Sequence, residues 1–341
     1  MFAMKPRGVW IGTSGWVYKE WAGHFYPKGW PKKNEFVYYV RHFPTVEINA
    51  TFYRLPTLKM VRGWREKSPG GFLFAVKGSR FLTHIKRLKD TGRGLRKYFS
   101  RLKPLAERTG PILWQLPPTF PKNDENFARL ERFLCKLPKA YRHAVEFRHP
   151  SWMDEQTFAL LRRCNVANVW ISSLKMPVDH TLTSDFAYLR FHGLKGGAYH
   201  DYTEAELRPW AEQLARVARK GLPAYVYFNN DLNTRAPLNA HTLMKLVGRY
   251  KVQPFGPDAA TPPEITLPEK KPETWRPWSR QPKPKRRAGA RKAPRANSRR
   301  RASISAAARR SPAVNPLPST RPAPRRFAAA QFSASALPPT R

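Results

Sequence analysis

Cysteine is nearly absent from this chain: the only two in 341 residues are Cys135 and Cys164, with no Cys-x-x-Cys spacing. That speaks against a disulfide scaffold or a structural zinc site and suits a reducing compartment. Acidic side chains are scarce as well, 23 against 63 Lys and Arg, for a formal net charge of +40. No stretch approaches the apolar length needed to span a membrane, and Met1–Arg7 lacks the apolar core of a signal peptide. A soluble cytoplasmic protein without a membrane partner is therefore expected. The spacings His-x-His and His-Glu-x-x-His are missing too. Any divalent metal would have to be held by residues far apart in the sequence.

What is present is a strand–helix alternation. Hydrophobic residues make up 41% of the chain and aromatics 13%, enough for a sizeable core. Eight β-branched and aromatic runs stand out: Gly8–Trp16, Thr45–Tyr53, Phe72–Ser79, Pro111–Pro118, His143–Trp152, Ala167–Leu174, Asp185–Leu194 and Pro223–Asp231. Helical spacing fills the gaps at Asn34–Phe43, Thr57–Lys67, Leu95–Arg108, Asp124–Leu137 and Asp154–Cys164, with Asp154 as an N-cap. Thr203 and Glu206 form a capping-box pattern before another helix, which Gly221 and Pro223 stop; the last helix is Asn239–Val247, ended by Gly248. Lys175–Thr183 is short and contains Pro177, so it predicts an irregular crossover. Eight strands alternating with helices predict an α/β fold, a (β/α)8 TIM-type barrel over residues 1–251.

Composition changes near Val252. Residues 251–341 hold 21 basic and 4 acidic side chains, a net of +17, which leaves +23 for residues 1–250. Prolines are dense from Pro254, no acidic residue follows Glu273, and basic clusters recur between Arg276 and Arg310. A segment so poor in periodic apolar residues cannot offset its ordering entropy, so 252–341 is expected to be a disordered basic C-terminal tail. It would act as a nucleic-acid tether or simply as a solvated extension.

Strand alternation sorts each run into two faces. With Val46, Ile48, Val145, Phe147, Leu189 and Phe191 turned to the helices, Glu47, Asn49, Glu146, Arg148, Arg190 and His192 point to the barrel axis. Lys77, Gln115, Asn229 and Asp231 join them by the same rule. Barrels of this kind keep their chemistry at the carboxyl ends of the strands, where these residues fall. Glu47, Glu146, His192 and Asp231 are the catalytic candidates. Asn49, Lys77, Gln115, Arg148, Arg190 and Asn229 are the substrate-binding candidates, joined by the aromatics Trp16, Tyr53 and Trp152. Part of this set would pair internally as a structural network, and most loop aromatics would pack as a lid.

Six motifs carry a resemblance: Ile11-Gly12-Thr13-Ser14-Gly15-Trp16, Val46–Tyr53, Phe74-Ala75-Val76-Lys77, Gln115-Leu116-Pro117-Pro118, Val145–Trp152 and Tyr227–Asp231. In that order they resemble the YecE-like family, domain of unknown function 72, over about residues 8–250. The resemblance implies a TIM-type barrel. It implies no reaction, and the basic tail lies outside it.

Three functions suit the mouth. The first is a hydrolase or lyase acting on a phosphate-bearing or nucleotide-like substrate. Glu146 would be the general acid or base with Glu47 its partner, Lys77, Arg148 and Arg190 would hold the anion, and His192 would shuttle a proton. A metal-dependent version would use Glu47, Glu146, His192 and Asp231. The second is glycoside hydrolysis by Glu47 and Glu146. The third is a non-catalytic nucleic-acid-binding module driven by the positive charge.

Overall fold

The computed structural model describes residues 8–250. The tail expected over 252–341 lies outside the described residues. Eight parallel strands close into one barrel in sequence order. They are β1 (Val9–Thr13), β2 (Thr45–Ile48), β3 (Leu73–Lys77), β4 (Thr109–Gln115), β5 (His143–Glu146), β6 (Val166–Ser173), β7 (Ala187–Gly193) and β8 (Ala224–Phe228). Closure comes from β1, which pairs with β2 through Thr13 and Val46 and with β8 through five residue pairs, Val9–Ala224 to Thr13–Phe228. Gly12 permits this seam, because a Cβ there would sit 2.2 Å from the Thr45 carbonyl oxygen.

Eight helices coat the strands: α1 (Glu35–Tyr39), α2 (Ala50–Tyr53), α3 (Leu58–Lys67), α4 (Gly92–Leu102), α5 (Asp124–Leu134), α6 (Glu155–Arg163), α7 (Glu204–Arg219) and α8 (Arg235–Arg249). Local chemistry sets their starts. Asp154 caps α6 through the Thr157 amide, and Thr203 with Glu206 forms the full capping box of α7. No helix lies between β6 and β7, as the short proline-bearing crossover predicts. The gap leaves a groove of about 480 Å3 beside α7, lined by Trp170, His180 and Arg216 among others. Among the described residues no helix is long and apolar enough to cross a membrane.

The strand faces divide as alternation requires. Phe191 and Phe228 stack outward at 4.3 Å beneath Trp210 and Tyr202. Inside, Tyr188 packs on Tyr227, whose hydroxyl meets Thr45 Oγ1 at 2.8 Å. The observed strands are shorter than the apolar runs. Asn49, Arg148, Asn229 and Asp231 lie beyond the last ladder residues, and Tyr53 sits on α2 instead of an extension of β2. α8 begins at Arg235, four residues before the expected start, and Gly248 lies within it. Thr234, in a left-handed conformation, makes that turn, and proline is tolerated in a first helical turn where amides lack partners anyway.

Candidate active site at the carboxyl end of the barrel

Arg190, on β7, is the hub of the mouth and is 1% exposed. Its Nη1 donates to Glu146 Oε2 at 2.6 Å; its Nη2 donates to Glu47 Oε1 at 2.7 Å and to Ser14 Oγ at 3.0 Å. Glu47 receives two more donors, the Tyr188 hydroxyl on Oε2 at 2.6 Å and Ser14 Oγ on Oε1. Asn49 Nδ2 holds that serine through Oγ at 2.8 Å and its carbonyl at 3.0 Å. Glu146 is held from its other side by Arg148 Nε. Two fully buried carboxylates are thus neutralised by two guanidinium groups, the condition under which buried charge is tolerated.

Protonation follows from this packing. Burial alone would raise the Glu146 carboxyl, but Arg148 and Arg190 hold it well below the usual carboxylate range. His192 is pushed down to about 3, first by burial and then by the same two arginines. Arg148 Nη2 lies 2.9 Å and Arg190 Nη1 3.3 Å from His192 Nε2. A guanidinium can only donate, so Nε2 is the acceptor and the ring proton sits on Nδ1; the Asn229 side-chain amide 3.3 Å away must then turn its oxygen to that proton, because its nitrogen can only donate. At neutral pH His192 is an uncharged imidazole with its lone pair occupied, which makes it a poor proton shuttle. Asp231 behaves oppositely. Burial raises its carboxyl well above the ordinary value, Tyr18 lies within hydrogen-bond reach, and its Oδ1 has no partner among the described residues.

Lys77 closes β3 at 9% exposed, with Nζ 4.5 Å from the Phe52 ring centroid. Burial pushes its amine down to about 7, with Arg190 adding repulsion and Glu47 and Glu146 opposing it. Arg148 is 22% exposed and, among the described residues, spends only Nε and Nη2 on protein partners.

The sequence-derived candidates therefore divide. Glu47, Asn49, Glu146, Arg148, Arg190, His192 and Asn229 join one hydrogen-bonded network, and Lys77 and Asp231 feel its charges. Gln115 is half-buried at the end of β4, Trp16 is half-buried against Phe36 and Trp64, and Tyr53 is 60% exposed on α2. Trp152 is a correction. It is fully buried between Phe120 and Phe147, with Nε1 bonded to the Phe120 carbonyl, so neither ring face is left for a ligand. The four-residue metal set needs correcting as well. Among the described residues no three His, Cys, Asp or Glu side chains gather to hold a metal ion, because the Arg190 guanidinium stands between the two glutamates.

Ser14, Tyr18, Tyr188 and His84 were not among the candidates. Ser14 could have been found, since it follows β1 within a quoted motif, and Tyr188 is inward by alternation. Tyr18 occupies a loop and His84 a single π-helical turn, Phe81–Ile85, and no periodicity encodes the direction of either.

The sequence profile described as "Protein of unknown function DUF72" matches residues 10–264, past the composition boundary near 252. The chain is 28% identical over 286 residues to UPF0759 protein YecE of Escherichia coli (strain K12), covering 76% of this chain and 99% of that protein. It is 26% identical over 275 residues to UPF0759 protein YunF of Bacillus subtilis (strain 168), covering 70% and 94%. Among solved structures, a DUF72 family protein from Thermotoga maritima MSB8 is similar at a TM-score of 0.66 and 31% identity, covering 71% of this chain and 100% of that one. A second DUF72 family protein, from Enterococcus faecalis V583, shares the fold at a TM-score of 0.60 and 20% identity.

Proposed function

The chain belongs to the family of proteins of unknown function DUF72, and we propose that its barrel mouth binds a phosphate-bearing or nucleotide-like molecule and acts on it as a hydrolase or lyase. One observation carries this reading. Glu47 and Glu146 are consumed internally, whereas among the described residues Lys77 pairs with no carboxylate and Arg148, bonded to Glu146 through Nε, stays 22% exposed. A partly exposed guanidinium edge and an amine without a carboxylate, beside a buried, neutralised network, suit an anionic group on a ligand. Glu47 and Glu146 then position the arginines instead of reacting. Asp231, whose carboxyl is raised well above the ordinary range by burial, supplies the acid for a leaving group, with Tyr18 beside it. The Asn49 Oδ1, buried and unpartnered, offers an acceptor to a substrate hydroxyl.

Glycoside hydrolysis is less well supported. It needs one free carboxylate and one protonated one. Every oxygen of Glu47 and Glu146 already accepts a hydrogen bond, and Glu146 is held ionised. The test is turnover of a panel of phosphate esters and nucleotides by wild type and Asp231→Asn. Turnover that falls at least about a hundredfold in the variant, in line with loss of an acid catalyst, supports the reading. Binding without any turnover would leave a non-catalytic anion-binding module.

A further inference from the structure

Lys77 is the inward-pointing last residue of β3, and its backbone is fixed: its carbonyl accepts from Thr51 Oγ1 at 2.6 Å and from the Tyr98 hydroxyl at 3.1 Å. The side chain runs beside the Phe52 ring, whose edge also meets His84 at 5.0 Å. The groups facing it from the surrounding elements are Glu47 on β2, His84 after β3, Glu146 on β5, Arg148 after β5 and Arg190 on β7. Both glutamates are already bonded to guanidinium groups, and among the described residues no carboxylate pairs with Nζ. A protonated amine would be a third cation in a site with two carboxylates. His84 brings no compensating charge, being pushed down to about 4 by burial and by Lys77, Arg80 and Arg148.

The same crowding holds much of Lys77 as free amine near neutral pH, its value lying at about 7. An uncharged amine against an aromatic wall, with cations nearby, is the arrangement that makes lysine a nucleophile toward carbonyl carbon. We propose that Lys77 Nζ forms an imine with an aldehyde or ketone, so that the substrate of this mouth is a phosphate-bearing carbonyl compound. The inference rests on the reading of the mouth as a phosphate site, with Arg148 seating the phosphate.

In the step itself the Nζ lone pair adds to the carbonyl carbon. A C–N bond forms, the C=O π pair moves to oxygen, and that oxygen takes the proton nitrogen loses. The carbinolamine then expels its hydroxyl as water with a proton from solvent, leaving a protonated C=N bond. The product of the covalent stage is an electron sink, which selects lyase chemistry over hydrolysis.

The experiment treats the full chain with glycolaldehyde phosphate or with glycolaldehyde, each with sodium cyanoborohydride, and locates reductive alkylation by peptide mass spectrometry. Lys97 and Lys139, both exposed, are internal standards. An amine titrating near 7 is richer in free base at pH 7 by roughly a thousandfold than an ordinary lysine, an advantage partly offset by weaker nucleophilicity. Lys77 should therefore label at least about tenfold faster than the standards at pH 7. Its rate should level off above neutrality while theirs keep rising. Preference for the phosphorylated aldehyde supports both readings. Equal rates with the two aldehydes uphold the imine and overturn the phosphate site. Labelling of Lys77 no faster than Lys97 overturns the imine, and titration with inorganic phosphate then judges the phosphate site separately.

Discussion

Glu47 and Glu146 never meet: the guanidinium of Arg190 stands between them, 2.7 Å from one carboxylate and 2.6 Å from the other. With Arg148 just past the fifth strand, these residues of the second, fifth and seventh strands form one charge-balanced plug beneath the mouth. Removing the central cation would leave Glu47 buried without any cation and Glu146 with Arg148 alone, whereas removing one acid leaves its neighbours partly paired.

Arg190→Met should therefore lower unfolding free energy by about 3–5 kcal/mol, the cost of breaking a buried pair. Arg190→Lys should recover only part of the loss, since an ammonium cannot present two parallel donors. Urea denaturation of the three proteins checks the order. A methionine variant as stable as wild type would show that the plug contributes nothing to the fold.

Acid stability should be governed by buried histidines. His192 and His241 are pushed down to about 3 and His143 to about 4, each chiefly by burial. Because the folded values are depressed, the unfolded chain binds protons first, from about pH 6.5 downward. The stabilising contribution is complete above that point and is lost as pH falls toward the folded values. Near pH 5 each histidine should add about 1.4 kcal/mol of slope per pH unit. His241 lies against Phe43 with both ring nitrogens unpartnered, so His241→Phe should remove one such increment and stabilise the protein. Equal slopes in the two proteins would contradict this.

Asp231 carries the opposite sign. Its folded value is raised, chiefly by burial, so its stabilisation is present below the unfolded value near pH 4 and is lost as pH rises toward the folded one. Asp231→Asn should be more stable than wild type at pH 8 and lose that advantage at pH 4. Paired thermal melts at the two pH values measure it. An advantage that does not depend on pH would mean the carboxyl is ionised in the native mouth.

The eight strands were legible because each inner face alternates with an apolar outer face, as with Val46 and Ile48 around Glu47. Alternation also gave the direction of Arg190 and His192. It overran the strand ends, because Asn49, Arg148 and Asp231 sit where pairing stops and loops begin, and nothing in a run of apolar residues marks that point. Trp152 escaped for another reason. An aromatic in a rim motif reads the same whether it faces a ligand or stacks between Phe120 and Phe147, and only tertiary contacts decide. Nor does spacing reveal that two glutamates share one arginine, which leaves Lys77 without a carboxylate partner among the described residues.

The basic segment past the barrel should act through charge alone. A chain ending at residue 264, where the family match stops, should fold and melt as the full chain does. It should elute from immobilised nucleic acid at lower salt, because the 265–341 removed carries 20 basic and 2 acidic side chains, a net of +18. Elution at the same salt would assign nucleic-acid retention to the barrel surface.

The most direct test of the phosphate-site claim is calorimetric titration of inorganic phosphate and a nucleoside monophosphate into wild type, Arg148→Gln and Lys77→Gln. Losing a charge-assisted hydrogen bond costs about 1.5–3 kcal/mol, so Arg148→Gln should bind about ten- to a hundredfold more weakly, and Lys77→Gln, which removes an amine only partly charged at pH 7, should lose less, both melting as folded proteins. Unchanged affinity in both variants, or no binding by wild type, would contradict a phosphate site in this mouth.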